Sequence, residues 1–386
     1  MDFNLSKEQQ MIQQVAREFA ETRLAPMVEE IEANHTIPPE LFLEAGELGL
    51  LALPISEEWG GADAGYDGYA LAMEQIGRVC GSFAMAIMAH VLGMSIIETF
   101  CNDEQKAIAL PKAATGEYIT SFAFTEPNTG SDPKQITGTA KKVGDKWILN
   151  GTKRFITNAA YPGYMCVVMR DVDSDKLATF LVDKDTSKPG YSVSEPWNKI
   201  ALNGGQLLDL YFKDYELPES ALVGNIGDGF MHLTSGIGYG KMGISSYALG
   251  LADAAYEAGM EYVMQKMHRG KPIAQKFQSI QMQIADMYEK LDAARLVLYK
   301  AACNANYNSK HNQLIFARDM AECKDFVCQQ SRDIVNIALD LHACYGLMTD
   351  YDITRMYREA CMMPQIESPS HVQKVILANH LIEDFQ

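Results

Sequence analysis

One acidic residue near the C-terminus has a setting that suits proton transfer. Glu367 follows the largely apolar stretch Met362-Met363-Pro364-Gln365-Ile366 and precedes Ser368-Pro369-Ser370, just before the last predicted helix. A carboxylate in a dry pocket has a raised pKa, because burial disfavours its charged form. Such a group can act as a general base. Since most glutamates are solvated surface charges, Glu367 alone is only a candidate.

Two segments far upstream have the residue types that hold a planar, polar ligand. Phe124-Thr125-Glu126-Pro127-Asn128-Thr129-Gly130-Ser131-Asp132 combines a strand end, a proline turn and a glycine with several hydroxyls. Phe155-Ile156-Thr157-Asn158 is predicted to place an aromatic ring and a hydroxyl on the same side of a strand. The ring can stack on a ligand, and the hydroxyl can hydrogen-bond its edge. Each segment alone also fits an ordinary turn or strand.

With Glu367 at matching spacing, these segments make the chain resemble the acyl-CoA dehydrogenase family over nearly its whole length, as a divergent member. The resemblance implies FAD as cofactor and Glu367 as the base that removes the α-proton of an acyl thioester, while the β-hydrogen leaves as hydride to flavin N5. It implies contacts to FAD, and for Ser131 also to the thioester end of coenzyme A, from Phe124, Thr125, Gly130, Ser131, Phe155 and Thr157.

The resemblance also bears on the groups around the base. Some members of the family carry the base on an earlier helix, but the corresponding residue here is Gly240, which has no side chain. Lys241 replaces an arginine used near the substrate, and we expect it to bind substrate more weakly. His90 could be a second acid, although a packed histidine is the simpler expectation. A protonated His371 would lower the pKa of Glu367.

The family pattern is altered where a neighbouring subunit normally holds the far half of FAD. Where the family has Gly-Thr after the base, this chain has Ser368-Pro369. The family's Arg-x-x-Phe-Gly is replaced by Lys266-Met267-His268-Arg269-Gly270. The family's Gln-x-x-Gly-Gly is replaced by Asp340-Leu341-His342-Ala343-Cys344. Lys266 and Arg269 stay as expected FAD contacts, although lysine lacks the bidentate geometry of arginine. Three explanations are open: a different partner subunit completes the site, FAD binds weakly or differently, or activity was lost.

Composition narrows the class of protein. The 386 residues carry a formal net charge of −17, which argues against a nucleic-acid partner, and 47% are hydrophobic, which excludes a disordered chain. The eight cysteines form no CxxC pair, so we expect reduced thiols and no metal. The N-terminus lacks a secretory signal, and no apolar run is long enough to span a bilayer. We therefore expect a cytoplasmic protein without a membrane span.

The elements predict an α+β fold in three domains. Residues 1–118 are predicted to be helical, beginning with a capping box at Ser6. Short strands between 119 and 225, including a hairpin around Gly144, predict a β-barrel or sandwich. Residues 226–386 are predicted to be helical again, and the family resemblance implies a four-helix bundle there. A heptad-like apolar stripe predicts one long helix over 272–304, suited to subunit contacts.

Our first hypothesis is an FAD-dependent acyl-CoA dehydrogenase-like oxidoreductase with electron-transfer flavoprotein or a similar redox partner. The same groups run in reverse would make an enoyl-CoA reductase. A half-site or non-catalytic subunit, and a thioester lyase or isomerase, are the alternatives from other classes. The family implies a homo-oligomer, most often a tetramer, and the altered positions leave room for a paralogous subunit.

Overall fold

The computed structural model describes residues 4–385 and divides the chain into two compact units. The first unit contains the chain up to Val28, Tyr66–Ala84 and the chain from Lys241 onward. The second contains Glu29–Gly65 and Met85–Gly240. Mixed helix and sheet confirm the predicted α+β class. The three-domain division at residues 118 and 225 stays a prediction.

Helices make up most of the first unit and flank the sheet region in sequence. The α-helices of the described chain are α1 (Lys7–Phe19), α2 (Val28–Asn34), α3 (Pro39–Glu47), α4 (Gly65–Val79), α5 (Gly81–Phe100), α6 (Asp103–Ala114), α7 (Gly229–Gln265), α8 (Ile273–Lys276), α9 (Gln278–His311), α10 (Gln313–Leu341), α11 (Ile353–Met362) and α12 (Ser370–Asp384).

The strands fall between residues 121 and 272. They are β1 (Ser121–Ala123), β2 (Thr139–Val143), β3 (Lys146–Thr157), β4 (Tyr164–Asp171), β5 (Leu177–Asp183), β6 (Tyr191–Val193), β7 (Leu207–Pro218), β8 (Leu222–Val223), β9 (Met267–His268) and β10 (Lys271–Pro272).

Local sequence signals set several helix starts. Ser6 Oγ accepts a hydrogen bond from the backbone N–H of Gln9, and the Gln9 side chain accepts one from the backbone N–H of Ser6, so the predicted capping box begins α1. Asn102 and Gln105 form the same arrangement at α6. Pro39 begins α3, where its missing N–H costs nothing.

The second unit is organised around one eight-stranded sheet. Its strands lie in the order β6-β7-β3-β2-β4-β5-β8, and β1 pairs in parallel with β4. The predicted hairpin joins β2 and β3 through Gly144, which has φ +64°. β4 is buried on both faces, since Met165 and Val167 lie in the sheet core while Cys166 packs with the apolar residues of α5 and α6. An almost continuous apolar run is typical of such a strand.

Helix α5 is long and apolar enough to cross a membrane by length and composition alone. In its most apolar window of 18 residues, 78% of the residues are buried inside the protein. Core helices of folded domains meet the same criterion, and burial of this extent is what they show.

The predicted helix over 272–304 is wrong at both ends. Phe277 is extended (φ −109°, ψ 118°) and separates α8 from α9, which then continues to His311. The stripe is buried from Met287 through Leu298, where α9 packs on α10. Helix α10 also packs on α11 and α12.

Candidate active site

The loop between α11 and α12 carries Glu367 in an unusual backbone conformation. Glu367 has φ +54° and Ser368 has φ +78°. The left-handed region costs a non-glycine residue roughly 1–2 kcal/mol. Ser368 replaces the glycine that the family pattern has after the base, so the serine adopts a conformation that glycine adopts freely. The surrounding structure must stabilise this loop against that cost.

The backbone carbonyl of Pro364 joins the loop to two helices. The carbonyl oxygen of Pro364 accepts a hydrogen bond from the Ser370 N–H at 2.9 Å and another from Lys324 Nζ at 2.9 Å. The first bond joins the two ends of the loop, and the second ties it to α10. In contrast, the backbone N–H of Glu367 has no hydrogen-bond acceptor within residues 4–385.

The charges around Glu367 give it the protonation behaviour of a base. Burial raises the pKa of Glu367 to about 7, and the ammonium groups of Lys324 and Lys241 oppose that rise. Lys241 on α7 is 6% exposed, and its burial lowers its own pKa to about 8 against the attraction of Glu367. Near neutral pH the carboxyl group is therefore divided between its two protonation states.

The structure changes one expectation for this region and adds one residue to it. The His371 side chain is exposed, and the positive charges that lower the pKa of Glu367 come from the two lysines rather than from His371. Lys324 was missed as a functional candidate. A signal was present, because one lysine interrupts the buried positions of α10, which include Met320, Ala321, Cys323, Val327 and Cys328.

In the second unit, one carboxylate organises the segment after β1. Glu126 accepts hydrogen bonds from the N–H and hydroxyl of Thr137, both at 2.7 Å, from the Gly138 N–H at 2.9 Å and from Lys153 Nζ at 2.8 Å. Lys153 is fully buried and also donates to the Phe124 carbonyl at 3.3 Å. This buried ion pair fixes the segment to β3.

The predicted flavin-side groups are open to a ligand. The N–H of Arg154 donates to the Thr125 carbonyl at 2.8 Å, which joins the segment to β3. Between residues 4 and 385, the hydroxyls of Thr125, Ser131 and Thr157 have no hydrogen-bond partner. Phe155 is 50% exposed, and its ring centroid lies 5.5 Å from that of Trp197. An open aromatic ring beside unpaired hydroxyls fits a flavin.

Strand β3 is irregular at the predicted stacking residue. Phe155 has φ +60°, and the pairing of β3 with β7 shifts register between Lys153 and Ile156. Simple alternation along a strand therefore does not decide which way Phe155 and Thr157 face. The outlier lies next to the open hydroxyls, where backbone strain often accompanies function.

Several residues that depart from the family's pattern for FAD binding lie on the surface of the first unit. Lys266 and Arg269 are exposed around the β9–β10 hairpin, and Lys266 Nζ lies 5.0 Å from the Tyr345 ring centroid. Ala343 has φ +50°, so alanine keeps a conformation typical of the glycine it replaces. Asp340 and Cys344 are exposed. The lysine and arginine fit a pyrophosphate, and Asp340 opposes one.

A basic pocket lies on the second unit near the segment that carries Ser131. It is lined by Lys134, Arg170, Lys176, Leu177, Ile226, Gly227, Asp228 and Phe230. The Arg170 guanidinium is occupied by the carbonyls of Lys134, Ile136 and Asp175. The ammonium groups of Lys134 and Lys176 make no ion pair with any described carboxylate, and Lys134 Nζ lies 5.7 Å from the Phe230 ring centroid. These groups suit an anionic ligand with an apolar part.

His90 is a packed histidine in this structure. It is fully buried, and its Nδ1 accepts a hydrogen bond from the Thr120 N–H at 2.9 Å. Burial, with the nearby charge of Lys184, lowers the pKa of His90 to about 3. A neutral, hydrogen-bonded ring supports the simpler of the two expectations. Residues 4–385 contain no group of three or more His, Cys, Asp or Glu that could hold a metal ion.

Family models match the chain in three consecutive segments. The acyl-CoA dehydrogenase N-terminal domain matches residues 6–117, the middle domain matches 121–215, and the C-terminal domain matches 227–382. The fold and the matched segments define an FAD-dependent oxidoreductase of the acyl-CoA dehydrogenase type, as the resemblance predicted. The chain belongs to the acyl-CoA dehydrogenase family.

Similar proteins match nearly the whole chain. The probable acyl-CoA dehydrogenase YngJ of Bacillus subtilis is 33% identical over 99% of this chain and 100% of its own length. The acryloyl-CoA reductase (NADH) of Anaerotignum propionicum is 33% identical over 99% of this chain and 96% of its own length. The butyryl-CoA dehydrogenase of Megasphaera elsdenii has a similar structure, with a TM-score of 0.92, 29% identity and coverage of 99% and 100%.

Replacing Lys153 by methionine should destabilise the protein strongly, because Glu126 would keep a buried charge without its partner. We expect a loss of about 3–5 kcal/mol in the free energy of unfolding. Chemical denaturation measures it. The matched control is Lys146→Met on the same strand, where an exposed ion pair with Glu216 is removed and we expect no measurable loss. Equal stability of the two variants would contradict the assigned role of the pair.

Proposed function

We propose that this protein oxidises an acyl-CoA thioester to the enoyl-CoA, with Glu367 as the base that removes the α-proton. The observation that carries the proposal is the setting of Glu367. Its half-buried carboxylate lies in a strained loop beside buried Lys241 and Lys324, and its pKa is raised to about 7. When bound, FAD would supply the acceptor for the β-hydrogen, which would leave as a hydride. The carboxylate must be ionised to accept the α-proton, and the two ammonium groups favour that state.

The free backbone N–H of Glu367 supports the same role. Removal of an α-proton develops negative charge on the thioester oxygen, and a fixed N–H donor stabilises such charge. Lys241 and Ser131 are the proposed side chains for substrate binding. We propose FAD contacts from Phe124, Thr125, Gly130, Ser131, Phe155, Thr157, Lys266 and Arg269.

The pH dependence should follow the ionisation of Glu367. For dehydrogenation, kcat/KM should rise as the pH increases through about 7 and then level off, because only the ionised carboxylate accepts the proton. Glu367→Gln should lower kcat by about a thousandfold or more. Steady-state assays with an artificial electron acceptor measure both. Glu322→Gln, which changes an exposed glutamate paired with Lys300, is the control, and its profile should match the wild type. A Glu367→Gln variant that keeps its activity would overturn the proposal.

Reduction of an enoyl-CoA is the second candidate, favoured by the relatives named acryloyl-CoA reductase (NADH) and 3-(aryl)acrylate reductase. In this direction Glu367 returns the α-proton and must begin protonated. The rate would then fall as the pH increases through about 7. Assays of both directions with one acyl chain distinguish the candidates by the sign of this dependence.

The altered FAD positions favour a third candidate, a half-site subunit completed by a paralogous chain. Asp340 and Pro369 are the substitutions that most oppose cofactor binding, since one brings an acid and the other has lost a hydroxyl and an N–H. The flavin content of the chain purified alone decides between the candidates. About one FAD per chain supports a complete homo-oligomer, and far less supports a missing partner.

We propose that the basic pocket binds the phosphates of coenzyme A. Lys134 and Lys176 supply two ammonium groups without a described ion-pair partner, and Phe230 supplies an exposed ring; such groups can bind a nucleotide with phosphates. We also propose electron-transfer flavoprotein or a similar carrier as the redox partner, a homo-oligomeric state and a cytoplasmic location. The half-exposed first part of the α9 stripe supports the homo-oligomeric state.

The double change Lys134→Glu and Lys176→Glu should raise KM for acyl-CoA by about ten- to a hundredfold with little effect on kcat. The same change should leave KM for the matching acyl-pantetheine unaltered, because that substrate lacks the nucleotide. Lys141→Glu, an exposed lysine on β2, is the control. An equal effect on both substrates would show that the pocket does not bind the phosphates.

A further inference from the structure

Lys324 lies on α10 behind the loop of Glu367 and is completely buried. Its Nζ donates to the Pro364 carbonyl at 2.9 Å, three residues before Glu367. No carboxylate of residues 4–385 lies within ion-pair distance of it. The lysine is therefore neither a surface charge nor half of a direct salt bridge.

A buried ammonium group needs compensation for its lost hydration. Burial lowers the pKa of Lys324, while Cys328, Glu367 and Asp325 oppose that fall. Cys328 and Asp325 lie on its own helix, and Asp325 is also 3.8 Å from Lys374 on α12. Lys241 on α7 carries a like charge, and after burial the repulsion from Lys324 further lowers the pKa of Lys241. Glu367 is thus the acid outside α10 that stabilises the charge of Lys324.

The hydrogen bond from Lys324 Nζ reaches the loop close to the base. Pro364 also accepts from the Ser370 N–H at 2.9 Å, so a single oxygen joins α10, the loop and the start of α12. Between those bonds the chain passes through two residues with positive φ, Glu367 and Ser368. Loss of the lysine would remove this tie and leave the bond from Gln329 Nε2 on α10 to Ser370 Oγ at 3.2 Å, so the support of the strained pair would be weakened.

We propose that Lys324 is a positioning residue for the reaction: it holds the Glu367 loop through the Pro364 carbonyl and favours the ionised form of the Glu367 carboxyl. The proposal rests on the proposed role of Glu367 as base. Lys324 does not touch the substrate in this account. It acts on where the carboxylate lies and on how readily it takes a proton.

Removal of the Lys324 charge should raise the pKa of Glu367, because one of the two groups that lower it is lost. In Lys324→Met, the midpoint of the pH profile of kcat/KM should move to higher pH by about one unit. At pH 7, kcat should fall about tenfold while KM stays within about twofold, since the change affects the reacting group and not substrate binding.

Lys324→Gln separates the hydrogen bond from the charge, because its amide can donate to a carbonyl but is neutral. We expect the same shift of the midpoint and a smaller loss of kcat than in Lys324→Met. Circular dichroism and FAD content establish that each variant is folded and loaded. If the methionine variant does not fold, the glutamine variant decides. Lys300→Met, which removes an exposed lysine paired with Glu322 on α10, should leave the midpoint unchanged.

A folded, FAD-loaded Lys324 variant with the wild-type midpoint and kcat would overturn the proposal. The Glu367→Gln variant distinguishes failure of this proposal from failure of the proposed function. An inactive Glu367→Gln variant beside an unaltered Lys324 variant rejects only the positioning role. An active Glu367→Gln variant rejects the base itself, whatever Lys324 does.

Discussion

The burial of one carboxylate against two lysines is the interaction on which the chemistry of this protein depends. Removing a charge from water raises the pKa of a carboxyl group, and nearby ammonium groups lower it again. At Glu367 the two effects leave a pKa of about 7, where a base can both hold and release a proton near neutral pH. Neither effect alone produces that value. A fully solvated glutamate is too weak a base, and one buried without the lysines would stay protonated.

Each unit contains destabilising features at the residues that position its reactive groups. In the first unit these features are two residues with positive φ and two buried ammonium groups at the Glu367 loop. In the second unit a buried Glu126–Lys153 pair holds a segment whose hydroxyls are left open. Such arrangements persist only where the rest of the fold supplies enough packing, here a long-helix core and an eight-stranded sheet.

Much of the fold and part of the site could be predicted from sequence, because they depend on local patterns. The capping box at Ser6, the hairpin at Gly144 and the apolar strands follow directly from residue order. The break at Phe277 does not, since an extended residue between helices leaves no strong sequence signal. The motifs that match the family identified Glu367 as the candidate base. The two lysines that lower its pKa come from α7 and α10, far away in the sequence. Their influence could be seen only in the three-dimensional structure, and the sequence had suggested only His371 for that effect.

Transfer of the α-proton to Glu367 is the central claim, and hydrogen exchange tests it directly. The enzyme would be incubated with an acyl-CoA in deuterated buffer without an electron acceptor, and deuterium at the α-carbon measured by mass spectrometry. Wild-type enzyme should incorporate solvent deuterium, because a protonated Glu367 exchanges with solvent and returns the label. A Glu367→Gln variant with the same FAD content should incorporate none. Equal incorporation by the two enzymes would contradict the account.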